Sequence, residues 1–204
     1  MRRSRGALAL DATRWVFSGS RVFVRGLTQL LRLARGGHLR EGLRPWMRFA
    51  SAGELPFDLF SSQGVRAVLF DLENTLIPPG GPFTDGGREI VARARAAGLA
   101  VGVVSNASAA WVPRVLAEEG IAYVAPAGKP GKDAFVRACR LLGVKPAQTV
   151  FVGDQLITDV LGAQRAGIRA VLLEPRWSEE ALSSKFQRVV SAGLLRLTGG
   201  AVRR

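Results

Sequence analysis

The stretch Val65-Arg66-Ala67-Val68-Leu69-Phe70, followed at once by Asp71-Leu72-Glu73-Asn74-Thr75, decides the fold. Its first part is β-prone and apolar apart from Arg66, which is typical of a strand buried on both faces of a parallel sheet. Two carboxylates arrive where that strand ends. Ligands bind at the carboxyl ends of strands in open α/β sheets, so these acids lie where ligand-binding and catalytic residues are usually found. Taken alone, the pattern fits a polar turn equally well.

The chain after this stretch alternates between helical patterns and short apolar runs, most of them bounded by glycine or proline. Strands that alternate with helices form parallel sheets with helices on both faces. The sequence therefore predicts an α/β fold in three layers around a five-stranded parallel sheet. The predicted strands are 65–70, 99–104, 121–124, 149–152 and 168–173. The predicted helices are 84–97, 108–119, 132–142, 157–166 and 178–197.

Charge is distributed unevenly along the 204 residues, whose formal net charge is +13. Residues 1–48 hold 11 arginines and 2 acids, whereas the remainder holds 18 Lys or Arg and 14 acids. No apolar stretch approaches the roughly 20 residues that span a bilayer. The single cysteine, Cys139, has no partner for an internal disulfide, and the apolar helical pattern around it favours a core residue.

The basic N-terminal arm, residues 1–43, contains a helical pattern from Arg21 to Ala34. One face is apolar, and the opposite face carries Arg21, Arg25, Arg32 and Arg35. A basic amphipathic helix is a candidate for lying on an anionic membrane surface. It could also dock on the core with its arginines solvated, or bind nucleic acid or protein.

The start of the arm resembles a signal peptide, but only five apolar residues precede Asp11, so secretion is not expected. An organellar transit peptide stays an alternative. We expect a cytoplasmic protein, at the inner face of the membrane if the arm binds lipid. The predicted divisions are the arm, a connector over 44–64 that packs on the core, a domain over 65–197, and a tail over 198–204.

Polar side chains that follow the other strands complete a constellation with Asp71 and Glu73. They are Ser105, Asn106, Lys129, Asp154 and Asp159. All would converge on one edge of the sheet, where several carboxylates repel one another unless a hard cation lies among them. Oxygen ligands with room for water suit Mg²⁺. A hydroxyl, a lysine and helix N-termini beside that cation would bind a dianionic phosphoryl group.

Taken in order, these residues resemble the four motifs of the haloacid dehalogenase (HAD) superfamily. The motifs read Asp71-x-Glu73-x-Thr75, Ser105-Asn106, Lys129-Pro130 and Gly153-Asp154-x-x-x-x-Asp159. The residues of the last motif, Gly153 to Asp159, are similar to those of subfamily IIIA, YqeG-type proteins, which are related to phosphatidylglycerophosphate phosphatases. The resemblance covers about residues 44–190 and leaves out most of the arm. It implies a Rossmannoid HAD-like fold and a Mg²⁺-dependent phosphatase.

The resemblance also implies a role for each matched position. Asp71 would be the nucleophile that forms an aspartyl-phosphate, and Lys129 would offset charge in the transition state. Asp71 and Asp154 would bind Mg²⁺ with the Glu73 main-chain carbonyl, supported by Asp159. The residues expected to bind substrate are Thr75, Ser105 and Asn106.

Glu73 departs from the family, whose phosphatases have Asp at this position to protonate the leaving oxygen and later activate water. The added methylene can misplace the carboxylate, and an error near 1 Å can cost about 100-fold in rate. The alternatives are therefore an active phosphatase, a weak or inactive phosphate-binding scaffold, and a nucleic-acid-binding protein that uses the arm.

The intervals between the motifs, 34 residues from Asp71 to Ser105 and 24 from Ser105 to Lys129, leave no room for a cap domain. An open site favours a bulky substrate. Together with the basic arm, it favours phosphatidylglycerophosphate or another membrane lipid.

Overall fold

This computed structural model describes residues 43–174. All six of the strands in that range are parallel and form one sheet in the order β1-β6-β5-β2-β3-β4. The strands are β1 (Met47–Phe49), β2 (Ala67–Phe70), β3 (Ala100–Val104), β4 (Ala122–Val124), β5 (Thr149–Gly153) and β6 (Arg169–Leu173). The predicted α/β class and parallel sheet are confirmed.

The prediction of five strands is wrong, because β1 adds a sixth at the edge beside β6. This strand lies within the predicted connector and has only three residues, all partly buried. A three-residue edge strand that follows a proline and carries Arg48 shows neither a continuous apolar run nor a clear alternation. The contact that defines it is tertiary, since its three residues pair with Val171, Leu172 and Leu173 of β6.

Helices cover both faces of the sheet, which gives the expected three layers. They are α1 (Phe57–Ser62), α2 (Asp85–Ala96), α3 (Val112–Leu116), α4 (Asp133–Leu141) and α5 (Leu161–Arg165), with one π-helical turn at Leu156–Val160 directly before α5. The helix expected over 108–119 is shorter than predicted. Pro113 occupies its first turn, where the missing N–H of proline is tolerated, and residues before it form turns instead.

The strands supply alternate side chains to two apolar cores. In β2, Val68 and Phe70 face the core that α1, α2 and α3 cover, whereas Leu69 faces the core under α4 and α5. All four residues of β2 are buried, as expected for a central parallel strand. Cys139 is buried in the second core, which confirms its prediction as a packing residue.

The order in which successive strands are added to the sheet reverses between β2 and β5, which are neighbours. The chain runs outward from β2 to β3 and β4, and then returns to the other side of β2 with β5 and β6. In open α/β sheets, such a switch point leaves a crevice at the carboxyl ends of the two strands. Phe70 pairs with Val152 there, and the Asp71 amide donates to the Val152 carbonyl at 2.8 Å.

Several predictions concern residues outside 43–174 and lie outside the described residues. These are most of the arm with its arginines Arg21, Arg25, Arg32 and Arg35, the last helix over 178–197, and the tail. The domain boundaries stay predictions. Within residues 43–174, no helix is long and apolar enough to cross a membrane.

The N-cap of α2 gives a test of how the loop after β2 is held. The Thr84 hydroxyl accepts from the Gly87 amide at 3.1 Å and donates to the Leu76 carbonyl at 3.3 Å. We expect Thr84→Ala to lower the free energy of unfolding by about 1 kcal/mol, measured by urea denaturation, because an N-cap is lost. Thr84→Ser, which keeps the hydroxyl, should stay close to the parent. Equal losses in both variants would contradict this role.

Candidate active site

Asp71 lies directly after β2 and is buried, with 8% of its surface exposed. Its Oδ1 accepts from the Leu72 amide at 2.8 Å and lies 2.9 Å from the ammonium of Lys129. Both of these contacts fall on Oδ1. Oδ2 is therefore the oxygen left for a ligand or an electrophile.

Lys129 is 1% exposed, and its ammonium lies between two carboxylates. Its Nζ is 2.9 Å from Asp71 Oδ1 and 2.7 Å from Asp159 Oδ1, and it also lies 5.3 Å from the ring centre of Phe151. A buried charge is tolerated when it is paired in this way. Lys129 thus joins the carboxyl end of β2 to the helical turn after β5.

Asp159 is fully buried, and both of its carboxylate oxygens are engaged. Besides Lys129, Oδ1 accepts from the Thr158 hydroxyl at 3.3 Å, and Oδ2 accepts from the Gln155 amide at 3.0 Å. Gly153 makes room for this carboxylate, since a Cβ there would lie 2.3 Å from Asp159 Oδ2. The glycine of the Gly153-Asp154 motif is therefore needed for close approach rather than for a turn.

Asp154 completes a cluster of three carboxylates at the switch point. Asp71, Asp154 and Asp159 each place one oxygen within 4.8 Å of the others. Asp154 Oδ1 is buried and has no hydrogen-bond partner among the described residues. An orphaned buried oxygen is costly unless something binds it. This oxygen-only donor set could hold a hard divalent cation such as Mg²⁺, and the assignment of its metal ligands stays a prediction.

The shifted pKa values of Asp71, Asp154 and Lys129 also favour a bound cation. Burial, with a contribution from Asp159 and against the opposing effect of Lys129, raises the pKa of Asp71 from 3.8 to about 7. Burial and repulsion from Asp159 and Asp71 raise the pKa of Asp154 well above its usual value. Burial alone would lower the pKa of the Lys129 ammonium, but its two carboxylate neighbours raise it. One ammonium among three carboxylates leaves an excess of negative charge that a divalent cation would neutralise.

The other predicted site residues lie around this cluster with different partners. Ser105 follows β3, is 2% exposed, and its Oγ accepts from the Ala107 amide at 3.2 Å. Thr75 is 3% exposed, and its Oγ1 has no partner among the described residues. Asn106 pairs through its amide with the main chain of Lys129. The structure thus places these residues on loops at the same edge of the sheet.

Glu73 is only partly buried, and its Oε1 accepts from the Gly80 amide at 2.8 Å. The carboxylate therefore reaches across the loop that follows β2. Between Glu73 and Gly80, Asn74 adopts a left-handed backbone with φ of 60°. Asparagine tolerates this conformation better than most residues. The turn that this permits brings the Asn74 amide to the Ile77 carbonyl at 2.8 Å.

Sequence reasoning missed the groups that orient Asp159 and Asp71. They are the main-chain amides of Gln155 and Leu72, the hydroxyl of Thr158, and the space left by Gly153. Main-chain donors carry no residue-type signal, so only the backbone path reveals them. Gly153 and Thr158 stand within the motif, but their functions depend on the π-helical turn at Leu156–Val160.

No separate cap domain lies over the site in the described chain. Between Phe70 and Ala100 the chain holds one loop and α2, and between Val104 and Ala122 it holds one loop and α3. Neither segment of residues 43–174 folds as a separate cap over the cluster.

Comparisons with known proteins identify the family of this chain. The family model of the haloacid dehalogenase-like hydrolases matches residues 80–167. A probable phosphatase, YqeG of Bacillus subtilis strain 168, is 34% identical over 134 residues, which cover 65% of this chain and 78% of that protein. Phosphoglycolate phosphatase of Psychrobacter arcticus is 27% identical over 165 residues, covering 76% of this chain and 63% of that protein.

A solved structure of an uncharacterised protein from Listeria monocytogenes serotype 4b is also similar. It is 20% identical, with a TM-score of 0.46, over 65% of this chain and 99% of that one. The parallel sheet, the acidic cluster and the sequence matches together define the class of protein. The chain belongs to the haloacid dehalogenase-like hydrolases, and within them to the YqeG type.

Gly153→Ala tests the close approach of Asp159 to β5. We expect it to lower the free energy of unfolding by about 1–3 kcal/mol in urea denaturation, because the new methyl group overpacks the buried carboxylate. The control is Gly53→Ala, at an exposed glycine where a Cβ would meet only the Ser51 hydroxyl at 3.6 Å. This control should change stability by less than about 0.5 kcal/mol. A Gly153 variant as stable as its control would show that the carboxylate lies elsewhere.

The raised pKa of Asp71 predicts how stability depends on pH without metal. A carboxyl whose pKa is higher in the folded state contributes stability below its unfolded pKa of 3.8, and that contribution is lost as the pH rises towards about 7. In EDTA, the unfolding free energy of the parent should fall over this range relative to that of Asp71→Asn. Adding Mg²⁺ at the upper end should restore it, since a ligand that binds only the folded state stabilises that state. Parallel pH profiles of the two proteins would contradict this account.

Proposed function

We propose that this protein is a Mg²⁺-dependent phosphatase that hydrolyses a phosphomonoester through an aspartyl-phosphate on Asp71. The observation that carries the proposal is the arrangement of Asp71 itself. Lys129 and the Leu72 amide hold Oδ1, Oδ2 stays available, and the orphaned Asp154 oxygen lies in the same cluster. The Bacillus subtilis relative is a probable phosphatase, which supports the same reaction class.

The reaction proceeds in two displacements. Asp71 Oδ2 attacks phosphorus and forms the new P–O bond while the bond to the leaving oxygen breaks, and Glu73 gives that oxygen its proton. Glu73 then takes a proton from a water molecule, whose oxygen attacks the aspartyl-phosphate. The P–O bond to Asp71 breaks, inorganic phosphate leaves, and the carboxylate is restored. Through these steps Lys129 holds Asp71 in position and offsets the negative charge that gathers nearby.

In this proposal the metal would be held by Asp71, Asp154 and the main-chain carbonyl of Glu73, with Asp159 in support. Both oxygens of Asp159 already accept hydrogen bonds, which suits support better than direct coordination. When bound, Mg²⁺ would neutralise charge on the phosphoryl group and on the carboxylates around it.

Ser105 and Thr75 are the side chains proposed to contact the phosphoryl oxygens. The Ser105 Oγ uses an acceptor position for the Ala107 amide, so its own proton is available to donate. The Thr75 hydroxyl is buried and has no partner among the described residues. A phosphoryl oxygen is an acceptor that would satisfy either hydroxyl.

The proposed substrate is phosphatidylglycerophosphate or another bulky membrane-lipid phosphate. Two features support this: the absence of a cap within residues 43–174, and the basic arm with Arg21, Arg25, Arg32 and Arg35. An open site accepts a headgroup that stays in its bilayer, and arginines on an amphipathic helix are attracted to anionic lipid. On this proposal the protein works at the inner face of the membrane.

A catalytically weak, phosphate-binding relative is the second candidate, and the Glu73 contact favours it. Since Oε1 is bound to the Gly80 amide at 2.8 Å, the carboxylate is held to the loop rather than to the cluster. A general acid must come within hydrogen-bond reach of the leaving oxygen.

Phosphate release from phosphatidylglycerophosphate in mixed micelles tests the main proposal. We expect turnover with Mg²⁺, none in EDTA, and a loss of at least about 1,000-fold in Asp71→Asn, because the nucleophile is removed while the shape is kept. Arg66→Gln, an exposed change at the opposite end of β2, is the matched control and should keep full activity. Unchanged turnover in Asp71→Asn would contradict the mechanism.

Glu73→Asp separates the two candidates. If the parent is an active phosphatase tuned to Glu73, the shorter side chain should lower kcat by about 10- to 100-fold. If the parent is a weak relative, the same change should raise its activity.

Glutamine in place of Arg21, Arg25, Arg32 and Arg35 together tests the lipid substrate. The variant should lose sedimentation with phosphatidylglycerol vesicles and keep its rate on a water-soluble phosphomonoester. Equal vesicle binding by the variant and the parent would contradict the membrane part of the proposal.

A further inference from the structure

Asn106 makes an unusual pair of hydrogen bonds to the main chain of a single residue. Its Oδ1 accepts from the Lys129 amide at 2.8 Å, and its Nδ2 donates to the Lys129 carbonyl at 3.3 Å. The two residues are 23 positions apart. One side chain therefore satisfies both main-chain groups of the residue whose ammonium lies between Asp71 and Asp159.

This pair continues the pairing of two neighbouring chain segments beyond the end of the sheet. The Ser105 amide donates to the Val124 carbonyl at 3.1 Å, and the Ala127 amide donates to the Ser105 carbonyl at 2.8 Å. The next contact along the two segments is made by the Asn106 side chain and the Lys129 main chain. The loops after β3 and β4 are thereby joined up to the catalytic lysine.

The position of Lys129 needs such a constraint because of its side chain and its surroundings. A lysine side chain is long and flexible, and here its ammonium lies 2.9 Å and 2.7 Å from two carboxylates that belong to different elements. The main-chain pair fixes the starting point of that side chain. Asn106 itself is left with one free N–H, since its Oδ1 and its other N–H are engaged with Lys129.

We propose that Asn106 is a positioning residue for Lys129, and that it acts by holding the lysine main chain rather than by binding substrate. The inference rests on the proposed phosphatase activity for its kinetic consequence, but the contact itself does not depend on that activity. When Asn106 is removed, Lys129 should lose its alignment with Asp71 while Ser105 and the metal-binding carboxylates stay in place.

A double-mutant cycle between Asn106→Ala and Lys129→Arg tests the proposal with Mg²⁺ present. The arginine keeps a positive charge between the carboxylates but moves it from the ammonium position. We expect Asn106→Ala to lower kcat by about 10- to 100-fold with KM changed by less than about threefold. In the Lys129→Arg background, the same alanine should lower kcat by less than about threefold, because it acts through the lysine.

Two results would overturn the proposal. A KM that rises by about tenfold or more with kcat unchanged would identify a substrate contact. Reductions in kcat that multiply across the cycle would show that Asn106 and Lys129 act independently. Ser108→Ala, an exposed change two positions further along the same loop, is the matched control and should leave kcat and KM at their parent values.

Amide hydrogen exchange separates a failure of this inference from a failure of the proposed function. The Lys129 amide should exchange at least about tenfold faster in Asn106→Ala than in the parent or in Ser108→Ala, with no substrate present. That result would support the contact even if the parent hydrolysed no phosphomonoester, and unchanged exchange would contradict it. If the alanine variant does not fold, Asn106→Asp, which keeps the acceptor for the Lys129 amide, takes its place with a smaller expected loss of kcat.

Discussion

The ion pairs of Lys129 are the interaction on which the site depends. A buried ammonium between Asp71 and Asp159 joins the carboxyl end of β2 to the turn after β5. Without that charge the cluster would hold three carboxylates at close range, which folding would oppose. With it, enough negative charge remains to attract a divalent cation, while burial, with a contribution from Asp159, raises the pKa of Asp71.

The sheet supplies the location for this interaction. Because the strand order reverses between β2 and β5, their ends leave a crevice, and the residues that follow them face one another across it. The loops after β3 and β4 add Ser105, Asn106 and Lys129 from the same side. The fold thus gathers these groups through loops at one edge, and within residues 43–174 no further domain covers them.

Most of the fold and the membership of the site follow from sequence patterns, and the exceptions have physical causes. Asp71 and Asp154 were predictable because each follows a buried apolar strand. β1 was not, since three partly buried residues at a sheet edge leave no pattern. The contact of Glu73 with the Gly80 amide also carries no signal, because a main-chain donor exists at nearly every position.

What the sequence by itself determined is the order of strands and helices and the types of side chain at the strand ends. Alternating apolar runs and helices force a parallel sheet, and a parallel sheet brings those ends together. Only the tertiary structure decided which atoms meet. The Lys129 ammonium contacts Asp159, 30 positions away in the sequence, and the Lys129 amide donates to Asn106, 23 positions away. Such pairings depend on close backbone approach, as at Gly153, where a Cβ would lie 2.3 Å from Asp159 Oδ2, and local sequence patterns do not encode distances between segments.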